Sequence, residues 1–209
     1  MPEGRRLTVP AGFAVNLFAD SLLFARFMAL APNGDVFLAE PARSDGRITV
    51  LRDRDRDGVA ETRDTFATGL NWPYSYLGRH VDPTVEPQRP DLVAKAIAPD
   101  VLLTSHAAAL GLLFYTGSQF PAAYRHSAFV ALHGSINRSK LSGYSVVRVP
   151  FRDGRPAGPP EDFLSGFVAR DDDEKEAWGR PVGLLQMPDG ALLISDDGGN
   201  RVWRVSYQR

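Results

Sequence analysis

VGLLQMPDGALLISDDGGNRVWR, residues 182–204, is the stretch whose reading decides the fold. It holds a short apolar run, a Pro188-Asp189-Gly190 turn, a second apolar run, an Asp/Gly-rich turn and a third apolar segment. That order predicts strand, tight turn, strand, loop, strand, an antiparallel meander. LAPNGDVFLAEPARSDGRITV, residues 30–50, follows the same recipe, with Pro32-Asn33-Gly34 at the turn and VFLA in place of LLIS. Two copies of one meander near opposite ends of a chain indicate a repeat architecture. A four-stranded unit with this turn chemistry reads as a propeller blade.

The rest of the sequence extends the count. Pro10–Ala19 alternates apolar and polar residues and is expected as an outermost strand. Leu110–Tyr115, Ala128–Leu132 and Gly143–Phe151 form a less regular meander, followed by a short strand over Phe163–Val168 and a charged loop over Arg170–Glu176. The expectation is one all-β domain over residues 1–209. It divides into a first blade over about 12–70, an irregular Pro-rich excursion over 71–110, a second blade over 110–168 and a last blade over 177–208. No segment carries a 3.6-residue apolar stripe, so helices are not expected. Three blades are too few to close a ring, since propellers take about four to eight. Each end of such an arc leaves an edge to be partnered. The final strand, RVWRV, needs either the chain's own N-terminal strand or another subunit beside it.

Composition narrows the function classes. A net charge of -1 and a pI near 6.4 give no field that would draw nucleic acid or an anionic membrane. No apolar run has the ~18 residues of a membrane span. The first residues, MPEGRRLTVPAGF, lack the apolar segment of an intact signal peptide. The expectation is a cytoplasmic location for the sequence as it stands, or a periplasmic or secreted one if a leader was removed. With no cysteine, disulfides and thiol catalysis are excluded.

LGLLFYTGSQFPAAYRHSAFVALHGSINRSKLSGYSVVRVPF, together with WPYSYLG, FMALAPNGDVFLAE and WGRPVGLLQMPDGALLISDDGGNRVWRV, resembles the glucose/sorbosone dehydrogenase group, six-bladed sugar dehydrogenases that use pyrroloquinoline quinone. The sorbosone dehydrogenase branch is the better match. The resemblance implies half of a six-bladed propeller whose central blades are missing, because FATGLN at 66–71 runs directly into Trp72-Pro73. In the family the missing part supplies the general-base histidine and an Arg-Asn pair beside the quinone, and neither has a counterpart here. The implied chemistry is hydride transfer from an aldose or sorbosone-type substrate to the quinone, with calcium polarising it and cations holding its three carboxylates. Arg138 and Arg180 match family positions that face the central channel, and Lys140 adds a point charge. Arginine suits carboxylates because its planar fork donates two parallel hydrogen bonds. The alternative is that these arginines cap strand ends or pair with Asp196 and Asp197.

His106 and His133 stand at strand ends in matched motifs, and either is placed to act as base or to make a structural hydrogen bond. DRDRDGVAETRD, residues 53–64, reads as a calcium loop. Asp53, Asp55 and Asp57 alternate, Gly58 allows the sharp turn, and Glu61 and Asp64 follow at ligand spacing. A solvated charged hairpin is the plain reading of the same residues. A two-fold homodimer completing one ring is the expected assembly, with a sugar or aldehyde as the small-molecule partner. Two other functions stay open: a non-catalytic half-propeller, and a calcium-dependent lactonase-like hydrolase.

Overall fold

The computed structural model describes residues 4–41, 46–70, 100–104, 106–135, 140–168 and 176–208. The excursion expected over 71–110 therefore falls largely outside the described residues, as do Arg138 and most of the charged loop at 170–176. Fourteen strands are described. They are β1 (Phe13–Ala19), β2 (Met28–Leu30), β3 (Val36–Glu40), β4 (Gly46–Arg52), β5 (Thr62–Leu70), β6 (Ala109–Phe114) and β7 (Ala128–Leu132). They continue as β8 (Ser145–Val149), β9 (Phe151–Arg152), β10 (Arg155–Pro156), β11 (Glu161–Leu164), β12 (Pro181–Gln186), β13 (Leu192–Asp196) and β14 (Arg201–Tyr207). Among the described residues the helical content is one 3-10 turn at Ala122–Tyr124. No helix there is long and apolar enough to cross a membrane.

Three four-stranded antiparallel sheets result, in the order β2-β3-β4-β5, β6-β7-β8-β11 and β12-β13-β14-β1, and β9 with β10 forms a small hairpin. These are the blades of a partial β-propeller. The two turns that define the repeat close alike, with Gly34 at φ 93 and Gly190 at φ 89. Leu30 pairs with Val36 in one hairpin and Gln186 with Leu192 in the other.

The last sheet resolves where RVWRV finds its partner. β1 lies beside β14, from Phe13 opposite Tyr207 to Ala19 opposite Val202. The N-terminal strand thus completes the last blade, and the first sheet begins at Met28 rather than near residue 12. The reason is packing. Phe13, Val15 and Leu17 join the apolar cluster around Phe120, Phe163 and Trp203, which the first sheet does not reach.

The last sheet sits between the other two. Leu192, Ile194, Trp203 and Val205 face Tyr115, Phe129 and Val146 of the middle sheet. Leu193 and Val202 face Val36, Leu38 and Leu51 of the first. β13 is consequently buried along its whole length, which fits a strand with apolar neighbours on both faces. β12, its innermost strand, lies against β6 and β7 on one side and β2 on the other. Backbones meet closely at those contacts. A Cβ on Gly111 would run into the Val182 carbonyl oxygen, and one on Gly183 would lie 2.6 Å from the Arg26 carbonyl oxygen. Any larger residue would push the blades apart.

Candidate functional site

Four segments converge where β12 and β2 begin and where β7 and β13 end. At their centre is Asp197, whose side chain is fully buried. A buried carboxylate is stable only when paired and hydrogen-bonded, and Asp197 takes three cation-forming partners. Arg26 Nη1 donates to Oδ2 at 3.1 Å, and Arg180 Nε donates to Oδ1 at 3.0 Å. His133 Nε2 lies 3.0 and 3.1 Å from the two oxygens. The Asp197 N–H also donates to the Arg180 carbonyl at 3.2 Å. The three partners remain partly open to solvent, Arg180 most of all at 38%. Among the described residues two guanidiniums and an imidazole thus flank this carboxylate.

Local sequence explains the convergence. Asp196, which closes β13, accepts the Arg180 and Gly199 backbone N–H groups on Oδ1, both at 2.7 Å, and Trp203 Nε1 on Oδ2 at 3.1 Å. These bonds fix the entrance of β12 and the 196–200 turn as one unit. Burial nevertheless pushes the Asp196 carboxyl above the usual carboxylate range. Asn200, the last residue of that turn, holds the loop before β2. Its carbonyl accepts the Leu22 N–H at 3.1 Å and its Oδ1 accepts the Phe24 N–H at 2.8 Å. Ser21 and Phe24 in that loop have φ of 51 and 57. For a bulky residue such as Phe24 this is strained backbone, of the kind held at ligand clamps. The strain sets the Phe24 ring 5.5 Å from the Arg26 guanidinium and 5.8 Å from that of Arg180, inside cation–π range. From the middle sheet, the Ala107 and Ala108 carbonyls accept the Gly134 and His133 N–H groups at 2.9 and 3.1 Å. The segment after His106 is thereby tied to the end of β7.

The structure thus brings two of the sequence candidates together, His133 and Arg180. His106 is exposed in the adjoining loop at φ 62, and Lys140 is exposed in the loop between β7 and β8. Arg138 lies outside the described residues. Two residues of the site escaped the sequence reading, Arg26 and Phe24. The available signal was position, since Arg26, like Arg180, stands just ahead of an innermost strand.

The acidic loop forms a separate constellation. Asp53, Asp55, Asp57 and Glu61 each offer a carboxylate oxygen, and all four lie within 4.8 Å of one another. Asp53 Oδ2 accepts the Gly58 N–H at 3.0 Å, whereas its Oδ1 is buried without a hydrogen-bond partner. Asn16 Nδ2 anchors the loop to β1 by donating to the Gly58 carbonyl at 2.7 Å. Asp64 does not join the group. The chain has already entered β5 there, opposite Val50, and the carboxylate pairs with Arg52.

A family model described as TrAA12-like matches residues 81–208. An uncharacterized protein of Borreliella burgdorferi is 40% identical over 108 residues, which are 51% of this chain and 28% of that protein. A pyrroloquinoline quinone-dependent pyranose dehydrogenase of Coprinopsis cinerea is 31% identical over 127 residues, 54% of this chain and 17% of the relative. The chain therefore aligns with less than a third of either relative's length. Among solved structures, the holo form of the pyranose dehydrogenase PQQ domain from Coprinopsis cinerea superposes with a TM-score of 0.66 at 16% identity, covering 97% of each chain. The calcium structure of a Trichoderma reesei carbohydrate-active enzyme of family AA12 gives 0.63 at 11% identity, again covering 97% of each. At such identities the likeness is one of fold.

Proposed function

This chain belongs to the TrAA12-like family, and from that premise we propose a quinoprotein sugar dehydrogenase-like protein that takes hydride from an aldose or sorbosone-type substrate. The observation that carries the reading is the gathering of Arg26, Arg180 and His133 around Asp197, at one end of the innermost strands. Pyrroloquinoline quinone, when bound, supplies the hydride acceptor and presents three carboxylates. The residues present suit it, because Arg26 and Arg180 carry forked donors and are only partly exposed. Lys140, exposed in the loop after β7, is a further candidate cation. Asp197 holds the two guanidiniums apart in fixed directions and fixes the His133 ring through Nε2. His133 so oriented is the candidate for accepting the substrate hydroxyl proton, and His106, exposed on the adjoining loop, is the second candidate. Two copies of the chain would complete the ring.

A titration with pyrroloquinoline quinone, followed by dye-linked oxidation of aldoses, tests this. Saturable binding weakened by Arg180→Ala, with turnover lost in His133→Ala, is the expected result. Absence of saturable binding overturns the reading. Binding without turnover leaves the non-catalytic half-propeller. We also read Asp53, Asp55, Asp57 and Glu61 as a calcium site, supported by the buried, unpartnered Asp53 Oδ1. Calorimetric titration with calcium should give one site that Asp57→Asn removes, and no binding heat at millimolar calcium ends that reading.

A further inference from the structure

Each outer sheet of the arc meets the last sheet with one face only, and on the other face of the middle sheet Val130, Leu132 and Val147 are buried with Ala107 and Leu103 while the β6 side chains stay open. The first sheet turns Val36 and Leu38 toward the last sheet, and its other face carries Phe37 and Phe66 with ring centroids 5.1 Å apart. Phe66 is 67% exposed. The middle sheet turns Phe129 and Ala131 toward the last sheet. Its other face carries Leu110, Leu112 and Phe114 on β6, with Phe114 edge-on to Phe151 at 5.1 Å. Leu112 is 63% exposed and Phe114 51%. A lone exposed apolar residue is ordinary, but adjoining ones on one sheet face mark an interaction surface.

The repeat says what each face fits. Aligning the two Pro-Asx-Gly turns puts Val36 and Leu38 at the positions of Leu192 and Ile194, and Phe37 at that of Leu193. The first sheet presents its Val36/Leu38 face to the Leu193 face of the last sheet, and the last sheet presents its Leu192/Ile194 face to the middle sheet. The blades therefore stack head to tail in one sense. Under that rule the two unused faces are the two complementary kinds: the Phe37 face of the first sheet and the Leu112 face of the middle sheet. The stretch that separates these sheets in sequence, 71–108, has fewer residues than the ~40–45 of one further blade.

We infer that the occupant of both faces is a second copy of this chain, with Phe37 and Phe66 of each copy seated on Leu112 and Phe114 of the other. A two-fold axis makes both contacts at once and leaves no sheet face open. The interface is isologous and closed, because each copy supplies both kinds of face. This deepens the paired-ring reading above, rests on the fold, and needs no cofactor.

Light scattering on the cofactor-free full chain tests it. The expected mass is twice 22.9 kDa. Leu112→Glu and Phe66→Glu, both at exposed positions, should each yield single chains that keep the wild-type circular dichroism, with association weakened at least 100-fold. Mixing the two variants should restore a dimer, because one of the two contacts then joins unaltered surfaces. A wild-type mass of one chain at tens of micromolar overturns the inference. So does a dimer that survives both substitutions, or variants that dimerise no better mixed than apart. Loss of quinone binding with a double mass would defeat the functional reading and leave this one standing.

Discussion

The first and last sheets solve one problem with the same device and then diverge. In each, the second strand ends in a fully buried carboxylate that grips the loop before the innermost strand. Glu40 accepts the Leu23 N–H, and Asp196 accepts the Arg180 N–H. Glu40 is then neutralised outright, by a two-pronged Arg47 at 3.0 and 3.0 Å and by the Thr49 hydroxyl. Asp196 receives only neutral N–H donors. The residue after Glu40 is Pro41, whereas the residue after Asp196 is Asp197, which gathers Arg26, Arg180 and His133. The difference teaches that the carboxylate at the strand end is scaffold, and that a single added acid beside it is enough to gather two arginines and a histidine.

Four substitutions break or sharpen that contrast. Glu40→Ala should cost the most, about 3–5 kcal/mol, because it strands Arg47, Thr49 and the Leu23 N–H around a buried void. The midpoint of urea unfolding reads this directly, and a loss below about 1 kcal/mol would mean that the first sheet does not depend on its ion pair. Asp197→Asn keeps the shape but surrenders the charge that aims two guanidiniums. Quinone affinity should fall on the order of 10–100-fold, by analogy with the loss of an outer-sphere orienting partner, while the fold persists. Equal binding by calorimetry would show that Arg26 and Arg180 orient themselves.

Asp196→Asn should cost about 1–3 kcal/mol, since one of its donors is left without an acceptor. Its pH signature is more diagnostic. Burial raises the native carboxyl above its unfolded value, so the folded state holds the proton more firmly. That contribution to stability is fully present below the unfolded value and is lost as pH rises through the native one. The difference in unfolding free energy between wild type and Asp196→Asn should therefore shrink with rising pH across the acid range, and a pH-independent difference would contradict it. Thr49→Val removes one neutral donor from Glu40 and should cost least, about 0.5–1.5 kcal/mol, because Arg47 still holds the carboxylate.

The strands were readable because their determinants are local. Pro-Asn-Gly and Pro-Asp-Gly fix two hairpins, and the alternation around them fixes which residues face inward. The placement of Phe13–Ala19 in the last sheet was readable only as an open choice, since the deciding contacts with Phe120 and Trp203 are remote in sequence. Arg180 and His133 stood in motifs. Arg26 and Phe24 did not, because their positions are set by hydrogen bonds that an irregular loop donates to Glu40 and Asn200. Asp64 misled for the opposite reason. A twelve-residue ligand spacing counts it in, while the ladder that begins at Thr62 has already turned it toward Arg52.

The pairing of β1 with β14 has a consequence for biosynthesis. Phe13–Ala19 leaves the ribosome more than 180 residues ahead of its partner strand Arg201–Tyr207. At about 5–20 residues per second the early strand waits on the order of ten to forty seconds with its apolar face uncovered. The first and middle sheets have all their strands before then, but the sheet that joins them does not. The cluster around Asp197 draws on that last sheet, so it assembles only after Arg201–Tyr207 has been translated, and until then Phe13, Val15 and Leu17 lack their packing partner Trp203.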